Sequence, residues 1–329
     1  MAATKIAVPP AAPDVARGVV GQALNFSQPP GNSDINMVWQ DNLQEAIDRI
    51  SDLIEVYNHV ALETQFPGIV ARPTGPFDDV ALYNYQTLKC NVDLTRVLQI
   101  TLTLSDAKGN RPKGLTWRFN FEFDASKDIF PQDATELRSL DLDKHRDQGI
   151  DPQEFAELIT SSGLVLNEDI RWITNGGVHS LRERPVEDNR TRQEEKPWIT
   201  FSGLYDFGHL LQLLTSQPLP NEIRGFQESL DLFFPSRCDV SKHLHRLGLA
   251  PRSKHGDGPD ARTRSLLRHA HYALEAFFRL PETIRRTAHD REEQLVQAVD
   301  DDSRGHQRLR GDRDMDRRRK GSSSRNAAA

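Results

Sequence analysis

From about Met37 to Tyr57 apolar residues recur at helical spacing: Trp39, Leu43, Ile47, Ile50 and Ile54 share one face of a 3.6-residue turn. That pattern predicts an amphipathic helix. A short apolar run follows, Val60 to Phe66, and stops at Pro67-Gly68, which suits a buried strand. Two later stretches alternate with period two. Leu98, Ile100, Leu102 and Leu104 are separated by Gln99, Thr101 and Thr103, and Trp117, Phe119, Phe121 and Phe123 by Arg118, Asn120 and Glu122. Both read as half-buried strands joined by the polar loop Asp106 to Gly114. Asp151-Pro152-Gln153-Glu154 has the form of a helix start, with Asp151 capping, Pro152 at the first position and Glu154 reaching back. Phe155, Leu158 and Ile159 supply its buried face and Gly163 ends it. Three more helices are marked by Phe207, Leu210, Leu211 and Leu214, by Ile223, Phe226, Leu230 and Phe233, and by Leu266, Leu267, Ala270, Leu274 and Phe277 before Pro281. Three strands followed by many helices predict a mixed α/β or α+β domain over residues 33–285.

The ends differ in composition. Residues 1–32 are rich in Ala, Pro, Gly and Val and read as a disordered leader; residues 286–329 read as a charged, disordered tail. Residues 175–197 are dense in charge without apolar periodicity, as in a surface loop. The 329-residue chain has a formal net charge of −6. Residues 301–329 contribute nine Lys/Arg against five Asp, so the remainder is more acidic still, which argues against a broad nucleic-acid-binding surface. Within the tail, Arg317-Arg318-Arg319-Lys320 reads as a solvated run, with a nuclear import signal or a weak RNA contact as alternatives. Cys90 and Cys238 form neither a disulfide framework nor a paired metal spacing, which points to a reducing compartment. No apolar run approaches the roughly 18 residues of a membrane span, and Met1 to Pro10 lacks the form of a signal peptide.

Side chains alternate along the strand Val60–Phe66, so Val60, Leu62 and Thr64 share one side and Ala61, Glu63 and Gln65 the other. A carboxylate and an amide therefore stand about 7 Å apart on one face. A carboxylate buried on a core strand is costly unless it is paired or metal-bound; the alternative is a strand end where Glu63 reaches solvent. His243 and His245, two apart, would face different sides of a helix and make no chelating pair.

"VALETQFPGIVARPTGPF" (Val60 to Phe77) and "NYQTLKCNVDLTRVLQITLTL" (Asn84 to Leu104) resemble the Caf/Pop-type poly(A)-specific ribonucleases, the exonuclease subunits of the Ccr–Not deadenylase complex. "VWQDNL" (Val38 to Leu43), "TWRFNFEFD" (Thr116 to Asp124), "GIDPQEFAELITSSGLVLNEDIRW" (Gly149 to Trp172) and "WITFSGLYDFGHLLQLLT" (Trp198 to Thr215) continue the resemblance in order, with wording most like plant members. It implies an RNase-H-like fold of the DEDD exonuclease type, a mixed sheet flanked by helices. It also implies removal of poly(A) tails from the 3′ end with release of AMP. The implied site holds four acidic residues and a histidine around two divalent ions, Mg²⁺ or Mn²⁺. The implied partners are poly(A) RNA and the scaffold and deadenylase subunits of the complex, with no membrane, in nucleus and cytoplasm.

Carried over by position, the metal ligands implied are Glu63, Gln65, Asp206 and Asp260, with His255 as the base. The family's first motif is Asp-Thr-Glu; here Glu63-Thr64-Gln65 lengthens the first acid and neutralises the second. Asp206 matches the third acid; the alternative is a helix N-cap carboxylate. His255 and Asp260 have the family's five-residue spacing, Asp257 is an alternative ligand, and the preceding segment is shorter than the family's by about one helix. Asp239 matches a family element outside the acidic quartet and reads as structural. With an insertion at about 173–197 besides, a second function remains open: a catalytically impaired member serving as a protein-interaction module.

Overall fold

The computed structural model describes residues 34–77, 80–174, 202–240 and 272–280, together with His243, Glu282 and Arg285. The leader, the 175–197 loop, the charged tail, His255, Asp257 and Asp260 lie outside the described residues. Six strands form one mixed sheet: β1 (Ile35–Val38), β2 (His59–Gln65), β3 (Gln99–Ser105), β4 (Thr116–Asn120), β5 (Arg171–Thr174) and β6 (Arg237–Asp239). Their spatial order is β1-β4-β3-β2-β5-β6. Only β3 runs against the others; β1 is parallel to β4, and β5 and β6 are parallel to β2.

One face of this sheet is apolar. Val60 and Leu62 of β2, Ile100, Leu102 and Leu104 of β3, Trp117 and Phe119 of β4 and Trp172 of β5 enter the main core. Six helices accompany the sheet, α1 (Leu43–Leu53), α2 (Val80–Leu94), α3 (Leu142–Gln148), α4 (Pro152–Ser161), α5 (Ser202–Thr215) and α6 (Ile223–Phe233), and all but α3 contribute to this core. Phe155 of α4 packs edge-on against Phe119 and Phe121 with ring centroids 5.2 and 5.0 Å apart. The opposite face is polar over β3 and β4. Toward β5 and β6 it turns apolar, where Ala61, Ile173 and Cys238 meet Ala273, Leu274 and Phe277 of the helical residues 272–279. Neither Cys90 nor Cys238 is in a disulfide. No helix among the described residues is long and apolar enough to cross a membrane.

The structure corrects the start of the first predicted helix. Met37 and Val38 belong to β1, and α1 begins only at Leu43. Trp39 and Leu43 mimic helical spacing, but Asn42 Oδ1 accepts from the Trp39 N–H at 2.7 Å and turns the chain between strand and helix. Three strands rather than six were expected because β1, β5 and β6 hold four, four and three residues, too few to display a period. The Asp151 cap is found, accepting from the Gln153 and Glu154 amides, while the Glu154 side chain takes a hydrogen bond from Gln40 instead of reaching back.

Asn91 of α2 ties the loop that follows β2 to the core. Its Oδ1 accepts from the Val70 and Ala71 amides at 2.7 and 3.0 Å, and its Nδ2 donates to the Ala71 and Thr87 carbonyls at 2.7 and 2.6 Å. The side chain is fully buried, so its loss leaves several backbone groups without partners. Asn91→Ala is expected to destabilise the protein by about 2–3 kcal/mol, read from the denaturant midpoint.

Candidate active site

Among the described residues, the pairing of β2 with β5 runs only as far as Leu62 opposite Thr174, and none of them adds a strand on this side of β2 beyond that point. An unpaired buried N–H is expensive. The Asp206 side chain takes the missing strand's place: its Oδ1 accepts from the Thr64 N–H and from Thr64 Oγ1, both at 2.8 Å. α5 begins at Ser202, so Asp206 lies within the helix and bonds to the strand rather than to its own helix's amides. The N-cap alternative is therefore replaced by a lock between helix and strand.

This lock needs a close approach of α5 to the strand ends. Gly203 makes it: a Cβ there would stand 2.7 Å from Thr174 Oγ1 and 2.8 Å from Asp239 Oδ2. Asp239, read from the sequence as structural, thus lies beside the first turn of α5 and adds its charge to the surroundings of Asp206. The signal that could have placed it is Cys238-Asp239-Val240, an acid between two buried apolar residues.

Glu63 and Gln65 are buried and share the polar face, in register with Thr101 and Gln99 of β3. Glu63 does not reach solvent as at a strand end; it is 9% exposed. Burial pushes the Asp206 carboxyl up to about 8; the Thr64 hydrogen bonds oppose the shift, and the charges of Glu63 and Asp239 add to it. Glu63, Gln65 and Asp206 therefore gather at one end of β2. Nearby, Gln65 Nε2, Thr174 Oγ1, Tyr205 Oη and both ring nitrogens of His209 are buried without a hydrogen-bond partner. Phe66 stacks on Tyr205 at 5.1 Å and packs against His209 at 4.7 Å, closing the apolar side.

Crowded buried carboxylates and unsatisfied oxygens fit a hard divalent cation, which takes oxygen ligands and offsets their charge. Among the described residues, however, no three His, Cys, Asp or Glu side chains stand at chelating distance. Toward such a cation Glu63 and Asp206 could offer two carboxylates and Gln65 a neutral amide oxygen.

No family model matches the chain. It is 41% identical over 212 residues to poly(A) ribonuclease pop2 of Schizosaccharomyces pombe, covering 63% of this chain and 56% of that protein. It is 40% identical over 220 residues to the probable CCR4-associated factor 1 homolog 7 of Arabidopsis thaliana, covering 64% and 70%. Poly(A) ribonuclease POP2 of Saccharomyces cerevisiae is 33% identical over 221 residues, covering 66% and 45%. The chain therefore spans about half the length of the two yeast relatives. Among solved structures it is similar to S. pombe Pop2p in its Mg²⁺- and Mn²⁺-bound form, with TM-score 0.59, 33% identity and coverage of 74% of this chain and 91% of that one. The structure of the yeast NOT1 MIF4G domain co-crystallised with CAF1 matches with TM-score 0.51, 28% identity and coverage of 77% and 90%. The RNase domain of yeast Pop2 matches with TM-score 0.55, 27% identity and coverage of 79% and 90%.

Gly203→Ala is expected to push α5 off the strand ends and cost about 1–3 kcal/mol, measured by chemical denaturation. A carboxyl raised from 3.8 to about 8 favours the folded state in its protonated form. Its contribution is full below the unfolded pKa and is lost as pH rises toward 8. In chelator, thermal stability should fall between pH 5 and pH 8, and Asp206→Asn should flatten that slope.

Proposed function

Because the chain belongs to the Pop2/CAF1 poly(A) ribonuclease family, we propose that it is a 3′-to-5′ exoribonuclease that shortens mRNA poly(A) tails and releases AMP. The observation that carries this reading is the lock between Asp206 and Thr64, which sets a helix carboxylate beside Glu63 at the end of a central strand. Glu63 and Asp206 would hold the cation, Mg²⁺ or Mn²⁺, with the Gln65 amide oxygen as a neutral ligand and Asp260 or Asp257 as the last acid. When bound, the cation supplies the charge that activates water and stabilises the leaving 3′ oxygen. Thr64 orients Asp206, Phe66 and Tyr205 keep the apolar side closed, and His255 is the candidate to accept the proton of the attacking water. A homopolymer offers little for sequence readout, so poly(A) is recognised through base stacking and backbone shape.

The proposed setting is the Ccr–Not complex, in nucleus and cytoplasm. Its support is the similarity to the chain solved with the NOT1 MIF4G domain. A second reading, an impaired member that acts as an interaction module of the same complex, is favoured by Gln65, whose side chain brings no negative charge to the site.

On a 5′-labelled oligoadenylate with Mg²⁺ or Mn²⁺, the purified protein is expected to shorten the 3′ end one nucleotide at a time. Loss of a direct metal ligand in Asp206→Ala should lower the rate by at least about 100-fold. An inert wild type that gains activity only when Glu63→Asp and Gln65→Glu are combined would establish the interaction-module reading instead.

A further inference from the structure

A buried cation stands on the polar sheet face beside the site. Glu63 of β2 is in register with Thr101 of β3, and Thr101 with Arg118 of β4. Register partners stand on the same side of a sheet, so the three side chains form a row about 10 Å from end to end. Arg118 is 7% exposed. Its Nε donates to Thr101 Oγ1 at 3.4 Å, a long bond that leans the guanidinium over β3 toward Glu63. Among the described residues this is the one hydrogen bond of its side chain, and no carboxylate lies within ion-pair distance of it. Glu63 is close enough to act on its charge without touching it.

A buried guanidinium has a high desolvation cost, and its terminal N–H groups require oxygen acceptors. The rows on either side are neutral. Thr103 and Thr116 share a hydroxyl–hydroxyl bond of 3.2 Å, and Gln99 donates to Asn120 at 2.7 Å. Arg118 is thus the one positive group facing this side among the described residues of β2, β3 and β4. It stands near the Glu63 carboxylate, where it offers a positive group to an anionic strand.

We propose that Arg118 holds a phosphate oxygen of the RNA beside the Glu63 carboxylate, using the guanidinium fork that matches a phosphodiester. The inference rests on the nuclease reading and adds a substrate contact to it. The contact is to the backbone, so it positions the strand and carries no base preference.

The test is binding of a short fluorescent oligoadenylate to the full chain by anisotropy, with Ca²⁺ in place of Mg²⁺. Arg118→Gln is expected to weaken binding about tenfold and to reduce the slope of log affinity against log salt by about 0.7, the value for one phosphate contact on a single strand. Oligouridylate should lose affinity by the same factor. Arg118→Lys keeps the charge and loses the fork, so its affinity should drop at an unchanged slope. If Arg118→Gln melts below the assay temperature, Arg118→Lys decides, and wild-type affinity in that variant overturns the proposal. Unchanged affinity and slope in a folded Arg118→Gln overturn it too. So does tighter Mn²⁺ binding with RNA binding unaltered, which would make Arg118 a counter-charge for Glu63 only. A wild type that binds RNA without cleaving it defeats the nuclease reading and leaves the contact standing; one that binds no RNA defeats both.

Discussion

The carboxylate of Asp206 seated on Thr64 is the constraint from which the site follows. Among the described residues β2 extends beyond its pairing with β5, and the buried Thr64 N–H must be satisfied inside the protein. A helix side chain does this, and Gly203 removes a Cβ that would collide with Thr174 and Asp239. The same seat buries a carboxyl between two other acids, which is why its proton affinity rises. Backbone satisfaction and the accumulation of negative charge are thus one arrangement seen from two sides.

The sheet divides the labour. Its apolar face binds α1, α2 and α4 to α6 into the main core and makes the strands rigid. Its other face carries hydroxyls, amides, Glu63 and Arg118, buried and cross-bonded from strand to strand. Chemistry placed on such a face is held by the register of three strands rather than by loops, which keeps oxygen donors at fixed spacing. The RNase-H-like fold of the Pop2 RNase domains is shared by this chain, and Glu63 and Gln65 fall on the polar face, away from the apolar core.

Much of this was legible in the residues. The alternation in Gln99–Ser105 and Thr116–Asn120 identified both strands and their inward faces, and Asp151-Pro152 identified the start of α4. Tyr85, Leu88 and Val92 carry a helical spacing for α2, but the buried Asn91 among them blurs the contrast between faces. β5 and β6 were not legible, because a three- or four-residue strand is too short for periodicity and is defined by its neighbours. Asp239 reads from the sequence as structural because it matches a family element outside the acidic quartet, and its place beside Gly203 of α5 depends on how closely helix and strand approach.

By itself, the sequence determined which side chains share a strand face, where most helices lie and which family the ordered motifs resemble, because these depend on spacing along the chain and on residue chemistry. The tertiary structure alone decided that Asp206 bonds across to Thr64, that Glu63 is buried, and that Arg118 leans toward it over Thr101. Those facts depend on strand register, on where one strand stops short of another and on how closely a helix can approach, and none of these is a property of a local stretch of residues.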